Sequence, residues 1–219
     1  MHTSNSASVF FVGFSIAASI ASNALLGTGI GDTSCKYSPR YSPYRTAFRI
    51  WGPIYIMAIA STVEQSVGEN VAPTVSNVFY AGAWLLAGAW TPLFTAQQPL
   101  YLLTAAATLC AVAGCALAAV ITSTMWTSAQ HEHSKWITGT AFSLLSGWTF
   151  VAASLNVAIG VKAIRGDAEK CDSRNEYYSI LNPIVSAQAT PIPLVLSVAA
   201  SSVAVALADP VLTVPVAVA

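Results

Sequence analysis

Charged residues are scarce in this chain of 219 residues. Lys, Arg, Asp and Glu make up 8% of it, whereas a typical soluble domain carries about 25%. Nine basic residues balance nine acidic ones, so no excess of positive charge is available to hold nucleic acid. Four cysteines are too few for a small scaffold held together by disulfides. These shortages argue against a soluble enzyme, a nucleic-acid-binding protein and a secreted disulfide-rich domain.

Apolar residues, in contrast, are abundant. They make up 55% of the chain, and the mean hydropathy is +0.61, which excludes a disordered protein. A bilayer core about 30 Å thick requires roughly 20 mainly apolar residues per helix. Six stretches meet this requirement and predict an all-α integral membrane protein: Ala7–Leu26, Ala47–Val63, Asn77–Ala96, Tyr101–Met125, Trp136–Val161 and Pro191–Ala208.

The two ends of the sequence each leave two interpretations open. No Lys or Arg precedes Val9, and the first apolar run is long for a cleaved secretory signal, so a retained first helix is favoured. The last run, Val211–Ala219, is too short to span a bilayer. It is either part of a longer segment, which we favour, or a tail at the membrane interface.

The predicted spans divide the chain into three parts. Residues 1–161 form a transmembrane core, residues 162–190 a polar connecting loop, and residues 191–219 an additional C-terminal transmembrane helix with an apolar tail.

Basic residues cluster in two loops that alternating helices place on the same side. The loop at 27–46 and the start of the second span carry four of them, and the segment 162–190 carries four more, which leaves Lys135 opposite. By the positive-inside rule this side is cytoplasmic, stromal or matrix. Whether the membrane is thylakoid, mitochondrial inner or bacterial stays open.

Cysteines and histidines suggest no metal centre. Cys35 and Cys171 lie in the two loops on the basic side, where a reducing compartment favours free thiols over a disulfide. His131 and His133 flank Glu132 in a short loop and are weak candidates for a metal site, because zinc requires further ligands nearby. A solvated polar turn is the favoured interpretation.

Ionisable side chains are missing from the middle of the spans. Glu64 and Glu69 lie near the exit of the second span, and we expect them to face water. Intramembrane ionisable residues usually mark an ion or proton path, so an ion-coupled transporter is disfavoured. No Ser/His/Asp set or buried carboxylate pair suggests an enzyme.

The glycine-rich run from Gly27 to Gly31 follows a predicted membrane helix. It is not preceded by a strand or followed by Lys-Ser/Thr, as a phosphate-binding loop would be. We interpret it as a helix end, where glycine accepts a left-handed backbone.

Aromatic residues recur at helical spacing inside the spans. Residues four apart share one face of a helix. This spacing groups Trp51 with Tyr55 in the second span, and Trp90 with Phe94 in the third. Such pairs are as consistent with an aromatic-lined cavity or a helix–helix seam as with a belt at the membrane interface.

The fifth span adds a further aromatic stripe. Trp148, Ala152 and Asn156 lie on one face at intervals of four residues, so an amide accompanies the indole ring. Trp126 and Trp136, at the edges of a loop, are assigned to the interfacial belt.

Three segments, in order, resemble one known family. They are residues 47–55 (Ala-Phe-Arg-Ile-Trp-Gly-Pro-Ile-Tyr), residues 83–94 with two Trp and a Pro, and residues 147–156, which begin Gly-Trp and end in Asn. These segments resemble the second, third and fifth helices of the TspO/translocator-protein family, also called tryptophan-rich sensory proteins. The resemblance covers spans one to five. It implies a five-helix bundle, here followed by at least one additional C-terminal transmembrane helix.

The resemblance also implies a cavity that binds tetrapyrroles, sterols and other apolar ligands. Carried over position by position, the ligand-binding candidates are Trp51, Tyr55, Trp90, Phe94, Trp148 and Asn156.

Two functions remain open on the sequence. The first is a non-enzymatic multi-pass protein that binds a porphyrin, a chlorophyll-type pigment, a sterol or a lipid in that cavity. The alternative is an accessory subunit of a large photosynthetic or respiratory membrane complex, whose Ala- and Ser-rich helices pack against other subunits. Membrane lipids are expected partners in both cases.

Overall fold

The protein is all-helical across the residues described by its computed structural model, which are 2–37, 50–67, 72–124 and 132–168. A short 3-10 turn, Gly27–Gly29, separates the first two helices. The helices are α1 (His2–Leu26), α2 (Ile30–Lys36), α3 (Trp51–Val67), α4 (Thr74–Thr95), α5 (Pro99–Thr124) and α6 (Glu132–Arg165). The predicted fold class is therefore confirmed.

Each of the first five predicted spans has one long helix as its counterpart. The helices α1, α5 and α6 extend beyond the predicted spans because a helix satisfies its own backbone hydrogen bonds and can continue into polar residues. The sixth predicted span and the tail Val211–Ala219 lie outside the described residues. Within the ranges that the structure describes, three segments are long and apolar enough to cross a membrane: Ser6–Leu26, Pro99–Ser123 and Trp136–Arg165.

The five long helices form a closed ring. Contacts run from α1 to α3, from α3 to α6, from α6 to α5, from α5 to α4, and from α4 back to α1. Large apolar side chains point outward: Phe10 and Leu25 are each 78% exposed, and Ile56 is 66% exposed. Such exposure is costly in water but suits contact with lipid tails.

Hydroxyl groups inside the helices bond to their own backbone. Ser15, Thr62 and Thr149 each donate to the carbonyl four residues earlier, at 2.7, 2.9 and 2.8 Å. This local pairing removes the cost of placing a hydroxyl in an apolar medium. Hydroxyl groups paired in this way require no water.

The basic residues at the ends of α2 and α6 lie at the same end of the bundle. Tyr37 approaches the α4–α5 connection, where its hydroxyl donates to the Gln97 carbonyl at 3.4 Å. Gly160, near the end of α6, lies against Leu102 and Leu103 at the start of α5. Both contacts are at the end of the ring where α5 begins, as the alternation of helices predicts.

The glycine-rich run ends a helix, but not by the expected backbone conformation. Helix α1 ends at Leu26, directly before Gly27. Among the described residues, Gln97 and Gly166 are the ones with positive φ, so the expected left-handed glycine is wrong. Gly29 instead allows close packing, because a Cβ there would lie 3.2 Å from the Cβ of Thr95.

Cys35 is disulfide-bonded, so its interpretation as a free thiol is wrong. Cys110 and Cys115 are free, and Cys171 lies outside the described residues. The expectation was based on the redox character of the compartment. That argument does not account for how closely the fold brings two sulfur atoms together, which decides whether a bond can form.

A buried polar network joins α3 to its neighbours at the end of the bundle where α4 begins. The Gln65 carbonyl oxygen accepts from the backbone N–H of Ala72 at 3.2 Å and from the Asn77 amide at 3.0 Å. The Gln65 amide donates to Ser61, whose hydroxyl donates to Thr138 of α6 at 3.1 Å. Sequence analysis did not identify this network, although Gln65 and Asn77 are the amides at this end.

Glu64 also belongs to this end of the bundle. It is half-buried and accepts a hydrogen bond from Thr138 at 3.4 Å, so it is partly exposed and also bonded within the bundle. Glu69 lies outside the described residues.

We predict that Gln65→Leu destabilises the bundle by about 1–3 kcal/mol, because the Ala72 N–H and the Asn77 amide lose a buried acceptor. Thermal unfolding in detergent measures the effect. The neighbouring substitution Ser66→Ala is the matched control, since Ser66 is exposed and its loss should cost less than about 0.5 kcal/mol. Equal effects of the two changes would contradict a structural role for the network.

Candidate ligand-binding site

The six residues selected from the sequence lie on three helices of the ring. Trp51 and Tyr55 are on α3, Trp90 and Phe94 on α4, and Trp148 and Asn156 on α6. All except the half-buried Trp51 and Tyr55 are buried. They meet inside the bundle together with aromatic residues that the sequence analysis did not select. We call the set of rings the aromatic seam: Trp51, Tyr55, Tyr80, Trp84, Trp90, Phe94, Phe142 and Trp148.

Trp51 connects α3 to α6 at one end of the seam. Its ring lies 5.8 Å from that of Tyr55 and 6.5 Å from that of Trp148, with the second contact edge-to-face at 88°. Edge-to-face pairs add about 0.5–1.5 kcal/mol beyond the area they bury. This contact is therefore one of those that hold α3 against α6.

Tyr55 lies at the junction of α1, α3 and α4. Its ring stacks on Trp84 with centroids 5.0 Å apart. The Asn23 amide donates to its hydroxyl at 2.6 Å, and Ser19 lies within hydrogen-bonding distance at 3.3 Å. Thr91 of α4 in turn donates to the Asn23 carbonyl oxygen at 2.9 Å. Tyr55 is thus held in place by hydrogen bonds as well as by stacking.

Trp90 and Asn156 form a direct bond between α4 and α6. The indole N–H donates to the Asn156 side-chain oxygen at 2.8 Å, and the Asn156 amide donates to the Ala152 carbonyl at 2.9 Å. Phe94 stacks on Trp90 at 4.9 Å. Two of the ligand-binding candidates are therefore bonded to each other in this structure.

Three further rings continue the seam beyond Trp51 and Tyr55. The Tyr80 ring meets Trp84 edge-to-face at 6.0 Å and packs on Phe142 at 4.3 Å. Tyr80 and Trp84 are four residues apart on α4, the spacing that selected Trp51 with Tyr55, so the same rule could have found them. Phe142 carried no such signal, because its partner is on a different helix.

The space left within the seam is small. A cavity of about 20 Å³ is lined by residues from α2, α3, α4, α5 and α6, including Ser34, Trp51, Trp90, Leu109 and Asn156. Such a volume holds about one water molecule, whereas small-molecule sites occupy roughly 300–1,000 Å³. As packed here, this cavity has no room for a tetrapyrrole or a sterol.

The structure does not support His131 and His133 as metal ligands. His131 lies outside the described residues, and His133 falls in the first turn of α6. In the part of the chain that the structure describes, no group of three or more His, Cys, Asp and Glu is placed to hold a metal ion.

The five long helices form a ring, expose large apolar side chains on its outer surface and bury aromatic residues inside it. These features define a multi-pass membrane bundle with an aromatic interior. Comparison with known families matches residues 5–207 to the family described as TSPO-like protein. The chain belongs to the TSPO-like family. No curated protein and no solved structure gave a match.

The Trp90–Asn156 bond generates a prediction about stability. Trp90→Phe and Asn156→Leu should each cost about 1–3 kcal/mol or more, because each leaves its partner buried without a hydrogen bond. The double variant should lose less than the sum, with a coupling of about 1 kcal/mol measured by unfolding in detergent. If the stability loss of the double variant equals the sum of the two single losses, the bond contributes nothing to stability. Trp136→Phe, at a 65% exposed site, is the control for loss of an indole.

Proposed function

We propose that this protein binds a flat, apolar small molecule of the tetrapyrrole or sterol class within the aromatic seam and performs no chemistry on it. The observation that carries the proposal is the continuous series of rings from Trp51 through Tyr55 and Trp84 to Tyr80. The polar groups along it are indole, amide and hydroxyl groups. None of these changes its charge near neutral pH, which suits binding better than acid–base catalysis.

Ring stacking and the burial of apolar area would supply the affinity. Burial contributes about 25 cal/mol per Å², and aromatic contacts add to it. In the closed bundle the same rings already pack against one another. A ligand must therefore replace contacts between rings with contacts between rings and ligand. Only the difference in free energy between the two sets of contacts contributes to affinity.

Helix α3 is the element that would move to admit a ligand. It packs less extensively against α1 and α6 than the other neighbouring helices pack against each other. Its 17 residues extend about 26 Å, slightly less than the bilayer core. The contacts that hold it along the seam are those of Trp51 and Tyr55 described above. Displacing α3 exposes the seam without disturbing the extensive α4–α5–α6 packing.

Protoporphyrin IX titrated into the detergent-purified protein tests this proposal. We expect saturable quenching of Trp fluorescence, and we expect Trp148→Ala to weaken binding about tenfold or more by removing a ring that closes the seam. Trp136→Ala, at the exposed site on α6, should leave affinity unchanged. Equal affinity of wild type and Trp148→Ala for every porphyrin and sterol tested would show that the seam is not the binding site.

A second function is favoured by one observation, the small volume of the cavity. A seam filled by its own side chains is what an accessory subunit of a large photosynthetic or respiratory complex would have, with the helices serving as packing surface. Migration only within a megadalton-scale complex in mild detergent, with no fluorescence response to porphyrin, would favour this function over the first.

We propose that the end of the bundle carrying Lys36, Lys162 and Arg165 faces the cytoplasm, stroma or matrix. The common location of these three residues at one end of the ring supports the proposal. Protease or label accessibility in sealed membranes should reach the stretches around Arg40 and Lys170 from the same side, and accessibility from opposite sides would contradict it.

A further inference from the structure

Three polar groups in the middle of the bundle lack hydrogen-bond partners within the described residues. They are the Tyr80 hydroxyl, the Trp84 indole N–H and the Ser146 hydroxyl. Each of the three side chains is completely buried, at 0% exposure. Unpaired buried polar groups are rare in folded proteins and each carries a cost. Phe and Ala would fill the same space without that cost, so the groups require an explanation.

The three groups lie at neighbouring levels. Helices α4 and α6 run in the same direction around the ring, and the Tyr80 ring packs on Phe142 at 4.3 Å. Trp84 and Ser146 each follow one turn later, about 6 Å further along their helices. The Tyr80 and Trp84 rings meet at 6.0 Å, yet in the part of the chain described neither polar group has a hydrogen-bond partner. The three donors thus lie within about one helical turn of one another along the bundle, and we refer to them as the donor cluster.

This cluster is separate from the part of the seam that lines the cavity. Trp90 and Asn156 use their polar groups on each other, whereas Trp84 lies six residues before Trp90, about 9 Å deeper along α4. Stacking of Tyr55 on Trp84 connects the two regions. A ligand that enters beside Trp51 and Tyr55 would reach the cluster with its far edge.

The cluster suits a neutral hydrogen-bond acceptor. Hydroxyl and indole N–H groups donate, and a carbonyl oxygen with two lone pairs can accept from two of them at once. An anion is disfavoured, because burying a charge without a partner is costly. Lys135 and Lys162, the lysines of α6, are 11 and 16 residues from Ser146, which corresponds to about 17 and 24 Å of helix.

We propose that Tyr80, Trp84 and Ser146 form a subsite that binds the neutral carbonyl oxygen of an otherwise apolar ligand. This inference rests on the proposed binding function and specifies the ligand class: a ketone on the edge of the ligand's ring system is recognised, and a hydrocarbon edge is not. In the ligand-free protein the donors remain unpaired, so the subsite is maintained at the expense of stability.

The test compares two uncharged chlorins that differ at one oxygen. These are methyl pyropheophorbide a, which carries a ring ketone, and its deoxo derivative, in which that ketone is a methylene. Binding to the purified full chain is measured by quenching of Trp fluorescence. We expect the wild type to bind the ketone about tenfold more tightly, and Tyr80→Phe to reduce this preference severalfold without weakening the deoxo compound.

Thermal unfolding of the ligand-free protein provides the second measurement. Tyr80→Phe should raise the Tm, because it removes a buried unpaired hydroxyl and retains the ring. Tyr101→Phe is the matched control: Tyr101 is 44% exposed on α5, and its substitution should change neither the Tm nor the preference between chlorins. Ser146→Ala provides an independent variant with the same expected direction in both measurements.

Results that differ from these expectations contradict the proposed subsite. If Tyr80→Phe lowers the Tm and leaves the preference unchanged, the hydroxyl serves a structural water or packing. If the wild type binds both chlorins equally, the subsite is wrong while the proposed binding function stands. If it binds neither chlorin nor protoporphyrin, the proposed function fails and the subsite fails with it.

Discussion

The absence of water inside a bilayer is the constraint on which the rest of this structure depends. A polar group there must find its partner within the protein. Serine and threonine hydroxyls meet the requirement by bonding to their own helix, as Thr149 does. The Gln65 oxygen and the Asn77 amide N–H meet it by bonding between helices, and so do the Trp90 N–H and the Asn156 oxygen. The bundle is therefore held together by a few buried hydrogen bonds in addition to close packing.

The same constraint makes buried polar groups without hydrogen-bond partners informative. Trp90 and Asn156 would be plausible ligand contacts on sequence grounds, yet they are satisfied by each other. The polar groups of Tyr80, Trp84 and Ser146 have no partners in the described residues, and no sequence pattern indicates that they are unpaired. Under the proposed function the closed seam is a compromise: its rings fill the space that a ligand would occupy, and its deeper donors are left without partners in the described residues. Opening along α3 would exchange one set of ring contacts for another.

Much of the fold was predictable because the physical signals are local. Apolar runs of sufficient length identified the helices, and three aromatic segments in register predicted the family, which the match over residues 5–207 confirms. The i, i+4 rule placed Trp51, Tyr55, Trp90 and Phe94 on shared faces. The predictions that were wrong or missing concerned contacts between distant parts of the chain. The contact of Tyr80 with Phe142 and the bonding state of Cys35 follow from the folded arrangement of helices, and no local pattern encodes them.

An experimental structure of the protein with protoporphyrin bound would test the central claim most directly. The account predicts that the macrocycle lies between α3 and α6, that Trp51 has left its 6.5 Å edge contact with Trp148, and that α4, α5 and α6 keep their mutual packing. A macrocycle bound on the outer, lipid-facing surface, with the Trp51–Trp148 contact intact, would contradict it.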